Sequence, residues 1–153
     1  MQLVPLMMAR FEIGSPTDVG SGPYGQRLIY PITGGTVDGD RIRGVVTPGG
    51  ADWVVFDSDG TARLDIRVTL QTHDGAIIYF QSTGILVINE HFTAAINSGQ
   101  MSEFGKTHLL TQPRFESGDA RYRWLNQTVA VAEGRASSSA VEHRISQVLP
   151  IGV

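Results

Sequence analysis

A chain of 153 residues, 41% hydrophobic and 18% charged, has the size and composition of one folded domain, residues 1–153, built on one core. Its 12 Lys and Arg against 15 Asp and Glu give no basic field for a phosphate backbone, which excludes nucleic acid as a partner, and the lack of Cys excludes disulfides, thiolate catalysis and Cys-held metal. No apolar run reaches the ~20 residues of a membrane helix, and Met1 to Arg10 lacks the basic region of a signal peptide, so a cytoplasmic protein with no membrane partner is expected.

Leu3 to Ile13 forms a first strand whose weak alternation suits burial on both faces or a bulge. Gly14 to Gly25, rich in Gly, Ser and Pro, is a loop. Gln26 to Thr33 is a second strand with Leu28, Tyr30 and Ile32 on one parity, and Pro31 directs it to an edge or a bulge. Gly34-Gly35 bends the chain, Asp38-Gly39-Asp40 turns it, and Pro48-Gly49-Gly50 ends the strand around Ile42 to Val46. Asp52 to Phe56 is a short strand, folded back by Asp57-Ser58-Asp59-Gly60. Ala62 to Thr72 alternates most clearly, Leu64, Ile66, Val68 and Leu70 against Arg63, Asp65, Arg67, Thr69 and Gln71. Ala76 to Asn89 follows as its hairpin partner, apolar on both parities.

Glu90 to Lys106 breaks the pattern. Phe92, Ala95 and Ile96 make a short helical stripe that Asn97-Ser98-Gly99 stops, and the segment is expected to be a lid or a dimer element. Thr107 to Phe115 resumes as strand, with Pro113 marking an edge or break. Tyr122 to Ala132 is assigned as strand, Glu133-Gly134-Arg135 as a turn or polar interruption, and Ser139 to Val148 as the last strand, with Val141, His143 and Ile145 on one parity. Eight to ten strands with short connections imply an all-β fold, a single antiparallel β-barrel.

Asp65 and Arg67 point the same way from one strand. Toward a lumen they would hold a polar ligand; toward solvent they form an ordinary ion pair. The register set by Asp57 to Gly60 brings Asp52 opposite the region of Asp65. Two carboxylates sharing a site would raise one pKa and supply a general acid. Asp52, Asp65, Arg67 and Trp124 are therefore expected to converge on one cavity with Asn126 close by. In a catalytic site Asp52 or Asp65 would move the proton and Arg67 would hold an anion or carbonyl oxygen. Trp53, Tyr122 and Trp124 offer faces to a flat ligand, or equally to the core. Asn126 either orients a carbonyl or takes a turn N–H. The four histidines lack metal-motif spacing and fall to surface or structural roles. No phosphate loop or dinucleotide fingerprint is present, so neither metal nor cofactor is expected.

Several runs carry a family resemblance: Gly34-Gly35-Thr36, Gly44-Val45-Val46 with Pro48-Gly49-Gly50-Ala51-Asp52-Trp53, Asp65-Ile66-Arg67, and Tyr122-Arg123-Trp124-Leu125-Asn126. On these the chain resembles the DUF3237/UPF0311 family over nearly its whole length. The resemblance implies a small barrel similar in shape to the lipocalin and allene-oxide-cyclase barrels. It points to Asp52, Trp53, Asp65, Arg67, Trp124 and Asn126 without attaching a catalytic role to any of them.

Three function classes remain on the sequence alone. The first is a barrel binding a small polar or aromatic metabolite. The second is a cofactor-free isomerase, cyclase or lyase using Asp52, Asp65 and Arg67. The third is a structural or assembly module. A homodimer is expected, since Leu3 to Phe11 and Phe92 to Phe104 offer apolar surface beyond one core.

Overall fold

In the computed structural model, which describes residues 1–152, the alternation of Ala62 to Thr72 becomes β6 (Thr61–Thr72). Ile66, Val68 and Leu70 are buried, while Arg63, Arg67, Thr69 and Gln71 are exposed. β7 (Ile77–Val87) pairs with it from Thr61↔Val87 to Gln71↔Ile77. Its own two apolar parities resolve the same way: Ile78, Phe80 and Leu86 turn inward and Ile77, Ile85 and Val87 outward. Leu64 and Asp65 thus lie on opposite faces of one wall, as the alternation requires.

The other strands are β1 (Gln2–Ile13), β2 (Thr17–Gly22), β3 (Gly25–Asp38), β4 (Arg43–Val46), β5 (Gly50–Phe56), β8 (His108–Glu116), β9 (Ala130–Ala136) and β10 (Ala140–Leu149). All pairings are antiparallel, in the order β1-β10-β9-β8-β7-β6-β4-β3, and a β1–β3 ladder closes the ring. β4 and β5 both bridge β3 and β6. The result is one closed eight-stranded antiparallel barrel with two extra strands, and closure removes the free edges of the ring.

Several local expectations change. Gly14 to Gly25 is not all loop, because β2 pairs along β3 from Thr17↔Ile29 to Gly22↔Gly25. Gly34-Gly35 is not a corner; it lies inside β3, where Gly35 faces Phe11 of β1 at a φ of 141°. Pro31 does accompany a bulge, since Glu12 pairs Gly34 and Ile13 pairs Ile32. Pro113 lies beyond the short β8–β9 ladder, which joins only Leu110↔Glu133 and Thr111↔Ala132. Gly134 is no turn but the buried centre of β9, opposite His143. Tyr122 to Gln127 is not strand. It belongs to a 3₁₀ helix, Ala120–Gln127, whose buried residues Tyr122 and Leu125 are three apart, the repeat of that helix and not of a strand.

The lumen is divided. Phe11, Phe80 and Phe115 meet with ring centroids 5.5 Å apart at each step. Together with Leu70, Ile78, Leu125 and Ile145 they fill the half of the barrel over the 3₁₀ helix. The other half is lined more loosely by Val54, Ala62, Leu86 and Leu109, with Tyr30, Phe56, Leu64 and Phe92 only partly buried. Of the apolar surface expected to be free, Phe11 is buried in the packed half and Phe92 packs on the looser half, while Leu3 is exposed. Among the described residues no helix is long and apolar enough to cross a membrane.

Candidate functional site

The loosely filled half of the lumen holds a cavity of about 320 Å³, within the size range of small-molecule sites. Its walls are the inward side chains of the strands, among them Val54, Leu64, Ile66, Leu86 and Leu109. Its cover is α1 (Glu90–Ser98), which contributes Phe92 and Ile96. The helix forms where the apolar stripe begins because Asn89 caps it, its Oδ1 accepting from the Phe92 N–H at 3.0 Å. It ends at Gly99, in the left-handed conformation. Asn89 also donates through Nδ2 to the Lys106 carbonyl at 2.8 Å, and His91 Nε2 accepts from the Glu103 N–H at 3.0 Å. The segment after the helix is thereby tied back to the first turn of the helix.

Among the described residues Asp52 is the one carboxylate lining this cavity. It lies on β5 opposite Ile66, close to the position that the hairpin register implies. The β5–β6 ladder lapses at Trp53 and Val54. There the Asp52 Oδ1 accepts the Asp65 backbone N–H at 2.9 Å, and Arg27 donates to the Trp53 carbonyl at 3.1 Å. Burial raises the Asp52 pKa to about 7. The Asp65 N–H works against that rise and the Asp65 charge adds to it. Tyr30 pairs directly across from Asp52 on β3, and its phenol is raised by burial and then by the Asp52 charge.

The remaining expected site residues are elsewhere. Asp65 and Arg67 stand on the outer wall, their side chains 31% and 51% exposed, paired at 3.0 Å. Arg67 also lies over the Trp53 ring, 5.7 Å from its centroid. Tyr122 donates to Asp74 at 2.9 Å, and Trp124 lies under the Arg41 guanidinium at 3.6 Å. Asn126 brackets Ser117, accepting its N–H at 2.7 Å and donating to its carbonyl at 2.9 Å. The expected convergence of Asp52, Asp65, Arg67 and Trp124 therefore does not occur. The inner parity of β6 belongs to Leu64, Ile66, Val68 and Leu70, and turning Asp65 and Arg67 inward would desolvate two charges and expose those aliphatics. Arg67→Gln is accordingly expected to leave the urea denaturation midpoint essentially unchanged, as for an exposed pair.

Besides the loop serines Ser137 and Ser138, two cavity residues were missed, Tyr30 and His143. Each carried a signal, since each shares strand parity with buried isoleucine: Tyr30 with Ile32, His143 with Ile145. No Lys or Arg lines the cavity among the described residues, and no group of three His, Asp or Glu residues gathers there or elsewhere as a metal-ligand set. A low-dielectric chamber with one half-titrated carboxyl, a phenol and a neutral imidazole can hydrogen-bond oxygen functions and exchange a proton.

The family model described as "Protein of unknown function (DUF3237)" matches residues 1–148. A UPF0311 protein of Rhodopseudomonas palustris is 32% identical over 138 residues, 90% of each chain. The crystal structure of a conserved protein of unknown function from Rhodopseudomonas palustris superposes with a TM-score of 0.88 at 30% identity, covering 97% of both chains. The PR-toxin biosynthesis cluster protein 7 of Penicillium roqueforti is 28% identical over 156 residues, 88% of this chain and 82% of that one.

Proposed function

We propose, for a chain that belongs to the DUF3237 (UPF0311) family, that its barrel binds a small, neutral, mainly apolar metabolite in the covered half of the lumen. A polar end of that metabolite is held at Asp52 and Tyr30. The observation that carries this reading is a buried carboxyl facing an apolar cavity with no cation to neutralise it. An anionic ligand would meet an uncompensated like charge there, whereas a hydroxyl or carbonyl finds a donor or an acceptor in the same carboxyl. The relative named for a PR-toxin biosynthesis cluster supports a role beside small-metabolite chemistry.

The test uses three probes that differ only at one position: naphthalene, 2-naphthol and 2-naphthoate, titrated into the full chain at pH 8. 2-Naphthol is expected to bind at least about ten-fold tighter than 2-naphthoate, a difference of about 1.4 kcal/mol. Asp52→Asn should shrink that gap by admitting the carboxylate. Equal binding of alcohol and carboxylate to the unmodified chain would sink the reading.

A second reading is favoured by the Asp52 pKa of about 7. A carboxyl poised near neutrality among apolar side chains has the properties of a general acid–base, and would suit a cofactor-free isomerase, cyclase or lyase. In that case Asp52 acts alone in proton transfer, and the rate on a turned-over ligand follows one titration near pH 7. Oligomeric state is a separate proposal. The outer-wall patch of Leu3, Ile85, Leu110 and Val131 suits a homodimer contact, and light scattering is expected to return the mass of two chains; a single-chain mass at micromolar concentration rejects it.

A further inference from the structure

The cavity borders a polar side chain that Asp52 and Tyr30 leave without a role. His143 of β10 is 0% exposed, lines the cavity, and among the described residues has no hydrogen-bond partner at either Nδ1 or Nε2. Burial holds the imidazole neutral, with its pKa pushed down to about 4. A neutral imidazole has one N–H to donate and one lone pair to fill. A leucine would occupy the same place in a barrel core with nothing left unpaired.

The surroundings position the ring without satisfying it. Phe11 meets it edge-on, centroids 5.4 Å apart at 78°. Across the ladder is Gly134, where a Cβ would come within 3.3 Å of His143 Cδ2 and 2.5 Å of Leu109 Cγ. A glycine in mid-strand, ordinarily unfavourable, here keeps room chiefly for Leu109, with the imidazole edge also close by. The hydroxyls of Ser82 and Thr111 are also buried and unpartnered, but neither borders this cavity.

We propose that His143 is the second polar anchor of the lumenal site, and that the ligand is a neutral molecule carrying oxygen functions at two separated positions on an apolar body. One oxygen is held at Asp52 and Tyr30; the other is the missing partner of the His143 imidazole. This rests on the lumenal-binding reading above and narrows its ligand class. By choice of tautomer a neutral imidazole serves a hydroxyl or a carbonyl. It thereby selects for the presence of the second oxygen. The apolar walls between the two anchors take the body of the molecule.

The experiment compares 2-naphthol with 2,6- and 2,7-dihydroxynaphthalene on the full chain at pH 7, followed by probe fluorescence. At least one diol is expected to bind about ten-fold tighter than the mono-alcohol, the worth of one added buried hydrogen bond. His143→Leu should abolish that advantage, and His143→Gln should restore part of it. A measurement without substitution accompanies these: in ¹⁵N NMR of the unmodified chain the diol, and not 2-naphthol, should move the His143 ring resonances. If 2-naphthol binds but neither diol gains, and the His143 resonances stay still, the second anchor is overturned and lumenal binding stands. If no probe binds, the lumenal reading fails and this inference fails with it.

Discussion

Gly35→Ala is expected to cost about 4 kcal/mol of unfolding free energy, a large part of a small domain's stability. Gly35 sits in mid-β3 at a φ of 141°, a conformation that L side chains rarely adopt. A methyl group there would also overlap the carbonyl oxygen of Arg10 on β1. β1 cannot yield, because its other edge is laddered to β10 from Gln2↔Leu149 to Glu12↔Ala140. The two penalties therefore fall on the seam that closes the barrel. Urea denaturation should show a lower midpoint at an unchanged slope. Gly118→Ala, where an added methyl meets open space, is the control and should stay within about 0.5 kcal/mol. A Gly35→Ala loss below about 1 kcal/mol would mean that the β1–β3 contact yields to an added methyl.

The second large effect is a gain. Asp52→Asn is expected to stabilise the protein by about 2–4 kcal/mol at pH 8 and by little at pH 4. The folded Asp52 has a pKa of about 7, against 3.8 for an ordinary Asp. Between those values the folded state holds a proton that the unfolded state has released, so stability falls as pH rises through that window. Asparagine keeps an oxygen to accept the Asp65 N–H and has no charge to desolvate. His143 works in the opposite sense. Its folded pKa of about 4 lies below the 6.5 of an ordinary His, so the unfolded state binds the extra proton and stability is lost as pH falls from 6.5 toward 4. In the unmodified chain the two slopes oppose each other over most of this range. The Asp52→Asn protein should expose the His143 slope, its stability rising between pH 4 and 6.5 and then levelling. Equal stability of the two proteins at pH 8 would show that Asp52 is well solvated.

The strands were legible wherever two faces differ in chemistry. β6 is the plainest case, with charges on one parity and aliphatics on the other, and the four-residue turn at Asp57 to Gly60 then fixed Asp52 beside Asp65. Which parity turned inward required the whole ring. A polar pair looks like a site when one hairpin is considered alone, but closing the barrel makes aliphatic burial decide for every strand at once. The 3₁₀ helix was illegible for a different reason. Its Tyr122 and Leu125 sit among Arg121, Arg123, Asn126 and Gln127, and a single three-residue spacing in so polar a run does not compete with a strand assignment. His143 was visible as a histidine on the parity of Ile145 and was passed over because its spacing fits no metal motif. Its significance comes from what fails to bond to it, which only coordinates can reveal.

The ring is closed by strands far apart in sequence. Phe11 pairs with Val141 on one side and Gly35 on the other. The middle hairpins, with turns of four residues, can form early, but the lumen cannot seal until residues 140–149 are available. A nascent chain short of that point is an open curled sheet with β1 and β9 as bare edges, poised for pairing with another chain. Loop-closure entropy for the last ladder is repaid only on completion, so folding belongs to the slow regime of about milliseconds to seconds seen for sheets rich in distant contacts. The chamber that would admit a ligand is thus the last part of the molecule to come into existence.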